Sequence, residues 1–505
     1  MKLFKKSTAI LLAAIMLFSI VPFAFAGNDG YTITNPYADV NWDTVKQYKA
    51  ALHTHTNASD GDDKLSDSIE RHYETGYDIV ATTDHGISNK SWTEKSSHIV
   101  TTFMSLIGKT DGDIVPLVTK GTFSNGVAYE TKTINGDDYV VTADRSILRV
   151  PFGNENNALS VNAHVNSWFA YYENNLPSDY RTAILGVDKA GGLSVINHPG
   201  EYTQARYELY EEDAYNMDNW SYNYYINKFY GYINNYESCI GIDINSKGDG
   251  RTRYDRKLWD VMLGMAAESG KTVTAIATSD AHQLNKIDTG STIILAENND
   301  STSVKKALLA GAIFPQSTCI SNRNELAQIA EGLKMYYDET NELYIKIADL
   351  VVKYDAEREE KDKSGDDGQV GVSYSALDDE GFLATATRPE IKSIIIDEAE
   401  DTITIDSENA LLVRWISDGK LIATTKADDT AFDLNDYSDV INGYVRAEVF
   451  GEGGVIYTEA FTLNADKATD SGDVTIIDLG FMDFIFAMVD RYGGLFGRII
   501  GNLFN

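Results

Sequence analysis

The 505-residue chain carries 76 Asp and Glu against 43 Lys and Arg, a formal charge of −33, with 43% hydrophobic and 24% charged residues. This length exceeds one ordinary domain, and the hydrophobic fraction is enough for a large core, which excludes a wholly disordered chain. So acidic a surface repels long polyanions, so long nucleic acid is not an expected partner; Cys239 and Cys319 alone exclude a disulfide framework, and whether they pair stays open.

Taken in order, the chain opens on Lys2, Lys5 and Lys6, an apolar run at 9–18, and a small-x-small site at Ala24-Phe25-Ala26. A removable signal over residues 1–26 is expected, and with it a secreted or cell-surface location. The apolar run is short for a membrane span, and no cysteine near the cleavage site supports a lipid anchor. Residues 27–49 read as a lead-in.

From residue 48 a theme repeats: a short apolar run that ends in candidate metal ligands. Ala51-Leu52 leads into His53-Thr54-His55, with Asp60 on the following loop. On an extended segment, residues i and i+2 point the same way, so His53 and His55 can converge on one ion. Ile79 to Thr83 runs into Asp84-His85, the run at 147–150 towards Asn154-Glu155, and Val161-Asn162-Ala163 into His164. Leu193 to Asn197 ends in His198-Pro199, the run at 241–244 in Asn245, and the run at 273–279 in Asp280-Ala281-His282. Continuous Val, Ile and Ala runs match strands buried on both faces, and helices expected at 66–76, 254–270 and 303–311 separate several of them. Alternating strand and helix gives an α/β class. Polar residues gathered at many strand ends suit a barrel better than an open sheet, whose ligands would meet at one crevice.

Two stretches interrupt that alternation. Hairpin signals at Ser124-Asn125-Gly126 and Asn135-Gly136 predict a β insertion over 114–150, and the Tyr- and Asn-dense stretch 202–236 reads as a second insertion walling the site. Beyond about 332 the pattern becomes one of short strands. Residues 333–349 alternate around a turn at Asp338-Glu339-Thr340, 355–368 form a charged loop, and strands follow at 391–396, 402–405, 411–416, 444–450 and 455–463. This predicts a β-sandwich over 332–465. Residues 466–505 read as a linker and an amphipathic tail. Asp478, Asp483, Asp490, Arg491 and Arg498 break its apolar run, so it is read as a segment that packs on the body or docks on a membrane surface, a cell wall or another protein.

The collected candidates are His53, His55, Asp60, His85, Glu155, His164, His198, Asp280 and His282. A mixed imidazole and carboxylate set suits Zn, Mn or Fe, and nine candidates exceed one ion's needs, so two or three divalent ions are expected. Adjacent ions activate a bridging hydroxide and stabilise both oxygens of a phosphoester displacement. Asp84 reads as an acceptor orienting His85. Lys247, Arg251 and Arg253 follow the strand ending at Asn245, on the rim where a phosphate of a small phosphorylated substrate would sit, although ordinary exposed charge is the better explanation of them. Outside the set, His72 and His98 read as surface histidines.

His53-x-His55, Thr83-Asp84-His85, Asn197-His198-Pro199 and Ser279-Asp280-Ala281-His282, in this order, resemble the PHP (polymerase and histidinol phosphatase) superfamily over roughly residues 48–315. The resemblance implies a distorted (β/α)7 barrel, here spanning 27–331 with its β insertions, and a metal centre, usually trinuclear, that hydrolyses phosphoesters. It implies His53, His55, Asp60, His85, His198, Asp280 and His282 as ligands. Glu155 and His164 look like the family's Glu…His pair, with Glu130 as the rival glutamate. Tyr444-Val445-Arg446-Ala447-Glu448 is similar to Ig-like domains appended to secreted members. Two other functions remain open at this point: hydrolysis of an amide or carbamate on the same barrel, and a surface-binding module whose metals are structural.

Overall fold

A computed structural model describes residues 30–106, 111–158, 163–173, 179–366, 368–377, 386–428, 431–464, 472–480 and 482–485. The expected leader and residues 486–505 of the tail lie outside the described residues. Among those described, no helix is long and apolar enough to cross a membrane.

Two sheets frame the predicted ligands. In one, Lys46–Ala51 runs parallel to Ile79–Val80, which runs parallel to Ser146–Arg149. Gly290–Ala296 closes its other side in antiparallel register. In the second, Asn154–Ala158, Ala163–Trp168, Leu193–Ile196, Cys239–Asn245 and Thr274–Ala277 lie in chain order, antiparallel up to Leu193–Ile196 and parallel from there. Every residue of Cys239–Asn245 and Gly290–Ala296 is buried, as the unbroken apolar runs require of strands covered on both faces. Two isolated parallel bridges, Thr54 to Ala281 and His85 to Glu155, join the sheets at their ligand-bearing ends.

The helices between strands begin and end where their sequence provides caps. Asp179 accepts from Thr182 N at the start of Tyr180–Ala190, and Gly191 in the left-handed region ends it. Asp300 and Gly311 bound Ser301–Ala310 in the same way. Helix Leu65–Glu74 occupies most of the expected 66–76, and Asp255–Ala267 most of 254–270. Strands Lys120–Thr122, Ala128–Ile134, Asp137–Val141 and Ser146–Arg149 fill the 114–150 insertion. Its central hairpin turns at Asn135 and Gly136 with φ of 54° and 96°, the positive pair that a two-residue turn demands.

One strand expectation is wrong. Residues 333–349, read as alternating, and 355–368, read as a loop, belong largely to two helices, Arg323–Tyr337 and Glu342–Ser364. Leu326, Ile329, Ala330 and Leu333 form a buried stripe at helical spacing, so the 3.6-residue period outweighed the short alternation around Asp338. After this helical pair come two packed β layers. Glu390–Asp397, Thr402–Glu408 and Phe432–Asp433 form one. Leu412–Ser417, Lys420–Lys426, Tyr444–Gly451, Gly454–Tyr457 and Phe461–Leu463 form the other. Ile391, Ile394, Ile403 and Ile405 pack with Val413, Trp415, Val445 and Val449 between them. The second layer is continuous with the ligand-bearing half, because Gly454–Tyr457 pairs with Ile313–Ser317. Cys239 and Cys319 are both buried and free, which answers the pairing question.

Candidate metal centre

All nine predicted ligands converge where the two sheets meet. His53 and His55 leave strand Lys46–Ala51 in extended register, and their Nε2 atoms stand 3.0 Å apart. The bridge from His85 sets Glu155 alongside it, and strand pairing of Asn157 with His164 returns that imidazole to the same spot. His198 and Asp280 follow their strands with φ of 28° and 43°. Such left-handed turns of residues other than glycine are costly and concentrate at functional sites. Here they swing both side chains inward over the strand ends.

Glu155 and Asp280 link the imidazoles. Glu155 Oε2 lies 3.4 Å from His53 Nε2, 3.3 Å from His55 Nε2 and 3.1 Å from His85 Nδ1. Its Oε1 lies 2.9 Å from His164 Nδ1 and 3.3 Å from His198 Nε2. Asp280 Oδ1 is 3.2 Å from His53 and 3.1 Å from His55, and its Oδ2 is 3.4 Å from His198. Asp60 lies 3.3 Å from His55, 3.3 Å from His85 and 3.2 Å from His282. These atoms fall into four overlapping groups, each able to hold one cation. Ligands at about 2.0–2.2 Å from a Zn-sized ion sit about 3.0–3.6 Å from one another in a tetrahedral or octahedral shell. The observed spacings match. Neither ring nitrogen of fully buried His198 makes a hydrogen bond, as a nitrogen reserved for a cation would not. The residues therefore fit divalent metal ions, and the donor set fixes no metal identity.

The electrostatics favour ligand-competent forms. Burial would raise Glu155, but the imidazoles of His164, His53 and His85 hold it well below the usual range. Burial likewise opposes, and His53 and Lys247 overcome it to hold, an ionised Asp280. Burial, then the charge of Lys247, lowers His198 to about 4, leaving it neutral. His55 behaves oppositely: despite burial, Asp60, Asp280 and Glu155 raise it well above its ordinary value, so an arriving cation must displace a proton there.

No family model and no curated protein matches the chain. Solved structures do. A two-domain protein containing a predicted PHP-like metal-dependent phosphoesterase from Bacteroides vulgatus is 12% identical, over 90% of this chain and 98% of that one, with a TM-score of 0.35. The lesion-specific endonuclease PfuEndoQ from Pyrococcus furiosus is 13% identical, over 52% and 56%, at 0.29. PsfC from Pseudomonas syringae is 11% identical, over 49% and 82%, at 0.27.

Other predicted residues lie around the cluster or away from it. Lys247 reaches it, with Nζ 2.9 Å from Asp280 and 3.0 Å from Glu201. Arg251 stands further out, half-exposed, 2.6 Å from Glu201. Asp84 is fully buried behind the candidate ligands, accepting from Thr56 N, Thr56 Oγ1 and Ser59 Oγ at 2.9, 2.9 and 2.7 Å. These bonds shape the His55–Asp60 loop, whereas His85, which Asp84 was expected to orient, lies against Asp60 and Glu155 instead. Three readings need correction. Arg253 is buried on Gly250 O, Tyr354 and Val370 O, not on the rim. Glu130 pairs with Lys120 and Lys132 on the insertion hairpin, away from the cluster. His72 and His98 are buried, His72 against Ser68 O and the Tyr77 edge.

Sequence reasoning missed Glu201 and Tyr202, on the short helix Pro199–Tyr202. Glu201 collects Lys247, Arg251 and Arg206, and although burial opposes it these charges lower it to about 2. Tyr202 sets its hydroxyl 2.9 Å from His164 Nε2, and Asn197 donates to Glu155 at 2.8 Å. Their adjacency to His198-Pro199 was the available signal.

Proposed function

We propose that the chain is an exported PHP-type hydrolase that uses two or three divalent ions to cleave a phosphoester in a small phosphorylated compound. One observation carries this reading: nine imidazole and carboxylate groups meet at coordination spacing in a centre open on one side. There Asp60 and His282 keep side-chain exposures of 49% and 32%. Structural sites close their shell, whereas catalytic ones keep a position open to water and substrate. Bound cations supply Lewis acidity, charge for the phosphoryl oxygens and a water acidic enough to attack. The chain's own residues do the rest. Glu155 and Asp280 hold neighbouring imidazole groups together, Tyr202 and Asn197 orient His164 and Glu155, and Lys247 is poised to meet a phosphoryl oxygen. Glu201 restrains Lys247 and Arg251 until an anionic substrate competes for them.

The same reading takes residues 27–331 as a distorted (β/α)7 barrel with its strands' ligand-bearing ends at the mouth, and the layers within 332–465 as an Ig-like sandwich. The leader accounts for export, and the overall negative charge favours small substrates over long nucleic acid. Elemental analysis of the purified mature chain tests the reading, coupled to chelation and readdition with p-nitrophenyl phosphate and bis(p-nitrophenyl) phosphate. Metal-dependent release from either supports it. Metal-loaded protein inert on both but active on an aryl carbamate would transfer the reading to carbonyl hydrolysis, and a tightly held metal with no hydrolysis of any kind would make the centre structural.

A further inference from the structure

The turn carrying Lys247 is held from behind by buried charge. Lys247, Gly248 and Asp249 have φ of 51°, 70° and 69°, a run of left-handed residues that needs outside support. Asp249, fully buried, supplies part of it. Its Oδ1 and Oδ2 accept from Arg256 Nη1 and Nη2 at 2.8 and 3.0 Å, and Oδ2 accepts from Ser321 N at 2.6 Å. The same guanidinium forks Glu325 at 2.5 and 2.8 Å and lies 5.8 Å from the ring centre of Tyr457, a buried residue of the β layers. One helical turn on, Asp260 accepts both Nε and Nη2 of Arg446 at 2.7 Å. Arg446 also reaches Glu448 at 2.6 Å, and Arg414 joins Glu448 to Gln328 on the helix of Glu325. All of these charges are buried, so none reads as surface decoration.

We propose that Asp249 is a positioning residue which, braced through Arg256 by Glu325 and Tyr457, fixes Lys247 over the metal centre, making the β layers part of the phosphate-binding machinery. This rests on the phosphoester reading of the centre. It treats the C-terminal half as support for the site, with no ligand of its own required.

A double-mutant cycle tests it in the full mature chain loaded with manganese, reading inorganic phosphate binding by calorimetry beside metal content and melting temperature. Lys247→Ala and Asp249→Asn are each expected to weaken phosphate roughly tenfold or more, the loss of one charge-assisted contact, with metal content unchanged. Because Asp249 acts through Lys247, the double variant should be no more than about twofold worse than Lys247→Ala alone. Tyr457→Leu, at the far end of the brace, should weaken phosphate in the same direction. Wild-type phosphate affinity in Asp249→Asn, or losses that multiply in the double variant, overturn the proposal. Should Asp249→Asn not fold, Gly248→Ala replaces it: its Cβ would meet no atom within 4 Å, while its φ of +70° disfavours any side chain. Unchanged phosphate affinity in that variant overturns the proposal equally. Wild-type protein that binds no phosphate brings down the phosphoester reading and this inference with it; wild-type binding with an indifferent Asp249→Asn brings down the inference alone.

Discussion

Glu459→Gln should change how stability depends on pH. Glu459 is 1% exposed, and its carboxylate accepts the Ala275 N–H at 3.0 and 3.3 Å. Its own N–H donates to Tyr37 Oη at 2.7 Å, which holds the residue in place. Burial pushes its pKa well above 4.5, and the Ala275 N–H and the Arg446 charge offset only part of that. For an acid raised on folding, the native state keeps a proton that the unfolded state has released. Stability is therefore lost as pH rises from 4.5 towards the folded-state value. While the proton is kept, the loss runs at about 1.4 kcal/mol per pH unit, the linkage slope for one proton. Glutamine keeps the acceptor for Ala275 and has no proton to release. Its amide N–H group adds a pH-independent offset of about 1–3 kcal/mol if unpartnered, which moves the gap between the proteins without tilting it. Urea midpoints of both proteins at about pH 5, 6 and 7, with chelator present throughout, should show Glu459→Gln gaining on the parent as pH rises, by up to about 1.4 kcal/mol per unit. A gap constant over that window would refute a retained proton.

Three further outcomes follow from the geometry. Asp280→Asn, which removes a carboxylate shared by His53, His55 and His198, is expected to lower bound metal by at least one ion per chain and turnover by about 100-fold or more; wild-type metal content by elemental analysis contradicts it. Chelation should lower the melting temperature, and readdition at about 100 times the dissociation constant should restore about 2.7 kcal/mol; a melting temperature indifferent to metal excludes a site coupled to the fold. Arg446→Met, which strands Asp260 and Glu448 in the interior, should cost about 3–5 kcal/mol in chemical denaturation. A loss under about 1 kcal/mol would mean that the network is hydrated or rearranges.

The candidate ligand set was legible as a cluster because its residues are local to strand ends. His53 and His55 share one extended segment, and Asp280 and His282 flank one alanine beyond a buried strand, so a period of two and an apolar run suffice to place them. Tertiary closure then did what the sequence could only imply, drawing segments more than 200 residues apart to within 3.2 Å at Asp60 and His282. The helical pair escaped because a turn at Asp338 lies between two helices whose buried residues are few; Glu342–Ser364 buries only Ile347 and Tyr354. A weakly patterned helix reads as alternation or as a charged loop. His72 escaped for the opposite reason: a polar residue among charges looks exposed, yet Ser68 O and Tyr77 satisfy it inside.

The buried charges behind the site mark a firmer limit. Arg256 and Asp260 stand four apart on one helix, the spacing of an ordinary exposed ion pair. Their actual partners are Asp249, Glu325 and Arg446, the last 186 residues away in sequence. Nothing local distinguishes a face turned to water from one turned to another layer bearing opposite charges. The difference appears only when Tyr444–Gly451 is laid against that helix. Pairing across such distances explains why the half bearing the candidate ligands and the β layers, separable by composition, share one sheet and one ionic interior. It also makes the two halves' electrostatics interdependent, since Arg446 on Tyr444–Gly451 is paired with Asp260 on the helix that carries Arg256.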